Sequence, residues 1–376
     1  MALLLVHHAT SGEKTLMKNN KEHVVVIGGG FGGLSAVRAM RGMDVRVTLI
    51  DRRNFHLFQP LLYQAATGLL CTSEITSPLR HILRSQKNVR VLLGEVTDID
   101  PQNRMIRLTD GEIGYDSLIV AAGMKNNYFG NDSWESHAPG LKTVEDTCLI
   151  RQKVFMAFEI AERERDPAAR QHWLNFVVVG AGSTGIELSG MLSEITRHTL
   201  KGEFRSIRPE DSKVLLIDSA DRILPSFAPE LSGKAQESLN RLGVTTIVQT
   251  KVVAINENGI HVLHGAENEF IPAKTVLWAT GVKASPLGRC LAERTGARTD
   301  TQGRIYVNPD LTIENYPEIL VIGDMAHFET DGGAVLPGLA PVAAQQGKYA
   351  ARSIMRRISG VTRIKPFGYF DTDTSR

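Results

Sequence analysis

The chain has 376 residues, more than one typical domain holds, and reads as two or three units. Its formal net charge of +2 provides no strongly basic face, so nucleic acid is not an expected partner. The three cysteines, Cys71, Cys148 and Cys290, form no C-x-x-C pair and leave an odd count, which argues against a disulfide framework and fits a reducing compartment.

No apolar run reaches the ~18 residues of a membrane span. The opening "MALLLVHHAT" lacks a basic n-region and a small-residue cleavage site, so it makes a poor signal peptide. Met17 is the more natural start, and residues 1–19 are expected to be a disordered arm.

Next comes "HVVVIGGGFGGLSAVRAMRGMDVRVTLID" (23–51), a strand, a glycine turn, a helix and a second strand. Gly28, Gly30 and Gly33 complete G-x-G-x-x-G: a tight turn, a close backbone approach to a pyrophosphate, and close helix–sheet packing. The phosphate then meets the helix N-terminus. Asp51 closes the second strand, 23 residues after Gly28, where a carboxylate can hold ribose hydroxyls.

The pattern recurs in "NFVVVGAGSTGIELSGML" (175–192), with Gly180, Gly182 and Gly185. Its acid is Asp218, at the end of "KVLLID", 38 residues after Gly180 because 198–212 lengthens the crossover. A carboxylate there accepts from a free 2′-hydroxyl and repels a 2′-phosphate, favouring NADH over NADPH. Arg222, four residues on, is expected to be a solvated surface charge.

Two such folds in one chain indicate a flavin and a nicotinamide. "YDSLIVAAG" (115–123) and "AKTVLWATG" (273–281, ending in Gly281) each run from a strand into a small-residue turn, as where a chain leaves one nucleotide unit and returns to it. "NYPEILVIGDMA" (315–326) places Asp324 after a buried strand, where a flavin's ribityl chain and phosphate need a polar partner. The first unit with the C-terminal segment should therefore hold FAD, and the inserted middle NADH.

No histidine pair makes a metal motif: His261 and His264 of "HVLH" fall on opposite faces of an alternating strand. "AARSIMRRISGVTRIK" (350–365) sets Arg352, Arg356 and Arg357 beside Ile354, Met355 and Ile358. It reads either as a helix on an anionic membrane or, preferred, as one packed on the core with a solvated basic face.

These residues resemble the type II NADH dehydrogenases, single-subunit NADH:quinone oxidoreductases of the two-dinucleotide-binding flavoprotein superfamily. The resemblance spans 20–371 and is most specific in "RRNFHLFQPLLYQAATG" (52–68), "RHTLKGEFRSIRPEDSKVLLID" (197–218) and "IGDMA…LPGLAPVAAQQG". It implies an α/β, glutathione-reductase-like fold with a discontinuous FAD domain and an inserted NADH domain. The expected divisions are 20–140 and 284–366 for FAD, 141–283 for NADH, and 367–376 as the remnant of a shortened C-terminal membrane-anchor domain.

The resemblance also implies that Arg52 contacts the FAD adenosine and Val96 the adenine, through its backbone. It makes Glu187 the candidate catalytic carboxylate, seating NADH. A first-turn position, with the helix dipole keeping the group ionised, is the physical expectation there. The pattern A-Q-x-A-x-Q-Q-G falls on Ala340–Gly347 with Pro341 in place of the first glutamine. Ala340 and Pro341 then begin the helix that approaches the flavin ring. Gln345, with Gln346 as its partner, would donate to a quinone on the face opposite NADH.

The implied activity is hydride transfer from NADH to FAD, then electron transfer to a membrane quinone, without proton pumping and without a metal. The implied setting is the cytoplasmic side of the inner membrane, peripheral, with a soluble form and a homodimer as further expectations. The alternatives are a sulfide:quinone or ferredoxin reductase, or a non-catalytic flavin-binding redox sensor. The first wants a cysteine pair at the flavin, one member late in the chain, and the last cysteine here is Cys290.

Overall fold

The computed structural model describes residues 21–361 and 363–371. The arm expected at 1–19 and the last five residues of the expected C-terminal remnant lie outside the described residues.

His23–Ile27 is wholly buried, with Val24 and Val26 packing on one face of a sheet and Val25 and Ile27 on the other. Burial on both faces is what a parallel sheet between layers requires. The strand pairs in parallel with Arg46–Asp51 and Ser117–Val120. Six strands line up in the order Thr312–Ile313, Tyr316–Val321, Ser117–Val120, His23–Ile27, Arg46–Asp51, Val89–Leu93. Tyr316–Val321 therefore returns from the far end of the chain to lie parallel to Ser117–Val120, making this sheet discontinuous in sequence.

A second, four-stranded parallel sheet runs Val244–Ile247, Lys213–Ile217, Asn175–Val179, Thr275–Trp278. Each sheet has a three-stranded antiparallel companion, Val96–Gly114 for the first and Thr250–Pro272 for the second. The duplication read in the glycine motifs thus extends to whole units.

Two chain crossings join the units, and they pair with each other: Met124–Asn126 runs antiparallel to Val282–Ala284. Each follows a left-handed glycine, Gly123 at φ 67° and Gly281 at φ 68°. A side chain at Gly281 would strike the Asn127 carbonyl at 2.6 Å. That glycine is therefore fixed by backbone packing at the crossing.

The stretch 52–68 forms the strand Phe55–Leu57, the 3₁₀ turn Gln59–Leu61 and the short helix Leu62–Ala66. Leu62, Ala65 and Ala66 pack with Ile150, Val154 and Phe158 of the helix Val144–Arg163 and with Phe176 and Val178 of the second sheet. The long crossover 198–212 is held by Glu162, whose carboxylate accepts from the N–H groups of Arg205, Ser206 and Ile207.

The helix Ala340–Ile358 lies along the helix Phe31–Ala39. Its apolar face enters the core, with Ala350, Ala351 and Ile354 fully buried. Arg352 and Arg356 are exposed, whereas Arg357 is half-buried and burial lowers its guanidinium pKa. This is the core-packed helix with a basic outer face. Beyond it, Phe367 is buried between the Phe328 and Tyr349 rings, its N–H donating to the Pro309 carbonyl. No helix among the described residues is long and apolar enough to cross a membrane.

Candidate functional site

One cavity of about 820 Å³ opens between the two units. Its first wall is the loop Gly28–Gly32 with Asp51, Arg52 and Arg53. Asp324 with Gly338–Ala340 forms the second, and Ser183, Thr184 and Glu187 of the second unit form the third.

The glycines divide by task. A Cβ on Gly28 would lie 2.3 Å from the Ala121 carbonyl oxygen, and one on Gly33 would lie 1.9 Å from that of Gly28. Gly28 stands at φ 99°, so turn and packing both demand glycine. A Cβ on Gly30 would meet no protein atom within 4 Å, so the space it faces is free for a ligand. The helix that follows has no side-chain N-cap and no acid in its first turn, leaving its N–H groups and positive end to an anion.

The second loop repeats this arrangement. A Cβ on Gly185 would sit 1.7 Å from the Gly180 carbonyl oxygen, Gly180 is at φ 108°, and Gly182 faces open space. The two strand-end acids are held alike. Asp51 accepts from Gly29 N–H at 2.7 Å and Arg53 N–H at 2.8 Å. Asp218 accepts from Ala181 N–H at 2.6 Å and Ala220 N–H at 2.8 Å. Each carboxylate is thus oriented by its own glycine loop before any nucleotide arrives.

Glu187 does not stand where the sequence suggested. It is the fifth residue of the helix Ser183–Glu194, one turn in from the N-terminus. The dipole acts mainly over the first turn, and here desolvation prevails: the surrounding wall pushes the Glu187 carboxyl above its ordinary pKa, although the residue stays open to the cavity. What is corrected is the first-turn position: the pKa moves up by desolvation, not down by the dipole.

The glutamine pair is also redistributed, and neither side chain lines the cavity. Gln345 exchanges two hydrogen bonds with the backbone of Phe370. Gln346 is 1% exposed and accepts the Gly323 N–H at 2.7 Å. Ala340 lines the cavity and Pro341 does not, although Pro341 follows it in the first turn of the same uncapped helix.

Arg52 lines the cavity and is exposed. Val96 sits outside the lining, paired with Leu108 and packed on the core. Gly180, Gly182, Gly185, Asp218 and Gly281 also lie outside it, so the cavity reaches the second unit through the segment 141–146 and through Ser183, Thr184 and Glu187.

Arg222 is bound locally to Asp221 and the Pro225 carbonyl. His264 meets the Thr250 hydroxyl while His261 lies against Phe270. No group of metal-ligating side chains occurs among the described residues, and none of the three cysteines lines the cavity.

Sequence reasoning missed Arg53 and Glu145. Both line the cavity, and Arg53 Nε and Nη2 grip the Glu145 carboxylate at 3.0 to 3.1 Å, joining the first unit to the helix Val144–Arg163. Arg53 adjoins the Asp51–Arg52 pair, which was a signal for half of this contact. Nothing local marked Glu145, 92 residues away.

Paired nucleotide units around one cavity, without a redox cysteine in it, define a pyridine-nucleotide flavoprotein. Residues 22–347 match the family described as pyridine nucleotide-disulphide oxidoreductase. The chain is 42% identical over 366 residues to the type II NADH:quinone oxidoreductase Ndh of Mycobacterium tuberculosis, covering 96% of this chain and 78% of that one. It is 43% identical over 372 residues to NdhA of the same organism, with the same coverage. Its fold matches that of NDH2 from Plasmodium falciparum solved with NADH, with a TM-score of 0.82, 19% identity, and coverage of 89% of this chain and 83% of that one. The chain belongs to the type II NADH:quinone oxidoreductase family.

Proposed function

We propose that this cavity brings NADH and FAD together and that the chain is a FAD-dependent NADH:quinone oxidoreductase that pumps no protons. The observation that carries the reading is the single cavity reached by both glycine-loop helices and by the Asp324 turn. FAD, when bound, supplies the chemistry: it takes two electrons as a hydride and gives them up to an acceptor.

The chain's own residues bind and orient. The Gly28–Gly33 loop and the uncapped helix Phe31–Ala39 present N–H groups to the FAD pyrophosphate, Asp51 accepts from its ribose, and Arg52 sits at its adenosine end. Asp324 and the helix start at Ala340 face the cavity from the other side. Gly180, Gly182, Gly185 and Asp218 hold NADH in the same manner, and Glu187 seats its nicotinamide end. Holding donor and acceptor in one walled space supplies proximity and excludes water.

The divisions at 141 and 284 belong to this reading, supported by the paired crossing of Met124–Asn126 with Val282–Ala284. So does a place at a membrane surface, where a lipid quinone is met and where the exposed Arg352 and Arg356 are suited to anionic headgroups. A homodimer is part of the same proposal.

The test is anaerobic. Purified protein should be yellow, lose that absorbance on one equivalent of NADH, and regain it on menadione. Bound flavin that NADH does not bleach would leave only a flavin-binding role.

A further inference from the structure

Gln346 and Gly347 touch two segments that are distant in sequence and meet at the same cavity. A Cβ on Gly347 would stand 2.1 Å from the Gly32 carbonyl oxygen and 3.0 Å from the Ala36 nitrogen, so the C-terminal helix lies backbone to backbone on the first phosphate-loop helix. From that fixed point the Gln346 side chain turns inward, 1% exposed, and its Oε1 accepts the N–H of Gly323 at 2.7 Å.

Gly323 is left-handed at φ 68° and opens the turn Gly323–Met325. Asp324, the next residue, lines the cavity with its carboxylate against Gly338, where a Cβ would lie 3.1 Å from Oδ1. The bond to Gln346 is therefore a side-chain hold on the turn that aims Asp324.

We infer that Gln346 is a positioning residue for FAD, fixing the Gly323–Asp324 turn against the first glycine-loop helix, and that it does not meet the quinone. The inference rests on the flavoprotein reading above. An adjacent glutamine at a quinone site would be expected to present a free amide. Here the amide oxygen is committed to a backbone donor, and the side chain does not line the cavity. Removing the acceptor leaves the Gly323 N–H unsatisfied in a partly buried turn, which relaxes at the expense of Asp324.

The experiment strips FAD from the wild type, Gln346→Leu, Asp324→Asn and the double variant, then measures FAD affinity by the quenching of flavin fluorescence. Where the Leu variant does not fold, Gln346→Met, of similar length with only a weak acceptor, takes its place. The expected result is an FAD Kd raised about tenfold by either single change. The double variant should be little worse than either one, because both act through the same turn. The visible flavin spectrum of the holoprotein should shift in Gln346→Leu.

Additive losses, or a wild-type FAD Kd and spectrum in Gln346→Leu, would overturn the inference. So would a quinone KM that rises in Gln346→Leu at saturating FAD while the FAD Kd does not move. A wild-type chain that takes up no FAD at all would instead sink the underlying flavoprotein reading.

Discussion

The side-chain amide of Gln345 and the backbone of Phe370 pair like two strands: Nε2 donates to the Phe370 carbonyl at 2.8 Å, and Oε1 accepts the Phe370 N–H at 3.1 Å. Four residues along the same helix, Tyr349 donates its hydroxyl to the Lys365 carbonyl. The segment through Phe367 and Phe370 is thus strapped along one helix face, over Gln345, the glutamine expected from the sequence to face a quinone. Phe370→Pro removes the N–H while leaving Gln345 in place. Its expected effects are a stability loss of about 1 kcal/mol by thermal denaturation and an apparent KM for menadione lower by about threefold, since the amide is released. A KM that rises or does not move would separate Gln345 from quinone binding.

Paired glycine substitutions should separate packing from ligand approach in the NADH loop. Gly185→Ala forces a methyl to within 1.7 Å of the Gly180 carbonyl oxygen, and Gly182→Ala places one in open space. The first should lower the melting temperature sharply, because backbone on both sides has nowhere to move. The second should leave melting within about one degree yet raise the NADH KM at least about tenfold, as the methyl occupies the pyrophosphate's approach. Both steady-state kinetics and thermal melts are needed, since the prediction lies in their opposite ordering.

The parts of this site legible in sequence are those whose consequences stay local. Gly33 and Asp51 pack and bond within one strand–turn–helix–strand unit, so their spacing alone marks those local contacts, and the same holds for Gly185 and Asp218. Gln345 and Gln346 show the opposite case. Neighbours on a helix point about 100° apart, so one turns outward to the tail and the other inward to Gly323. Which is which depends on the approach of the helix Phe31–Ala39, some 300 residues earlier in the chain. Arg53 with Glu145 is likewise a contact of tertiary origin. Glu187 was misjudged through a count of helical residues: the helix begins at Ser183, so the carboxylate falls beyond the reach of the dipole.

Asp218 should govern coenzyme choice. Its two oxygens are held by Ala181 and Ala220 N–H groups, which aims the free lone pairs outward. Asp218→Ala orphans both donors and removes the charge that repels a 2′-phosphate. The NADH KM should rise about tenfold or more, and the ratio of NADPH to NADH kcat/KM should rise with it. An unchanged ratio would show that coenzyme discrimination lies elsewhere in the loop 219–225.

Glu187 ties stability to pH with a definite sign. Desolvation raises its folded-state pKa above the ordinary value of 4.5. Between the unfolded and folded values the native state holds the proton more tightly, so this group's contribution to stability is complete below 4.5 and is lost as the pH rises through the folded value. Glu187→Gln cannot ionise and escapes that loss. Its melting temperature should exceed the wild type's at pH 7.5 and converge on it at pH 4. The same variant should oxidise NADH more slowly, seen as slower anaerobic bleaching of the flavin, because a group placed for NADH is retained at a cost in stability. A variant no more stable than wild type at pH 7.5 would mean that water entering along the cavity already solvates the Glu187 carboxylate, and that its seating of NADH requires no desolvated wall.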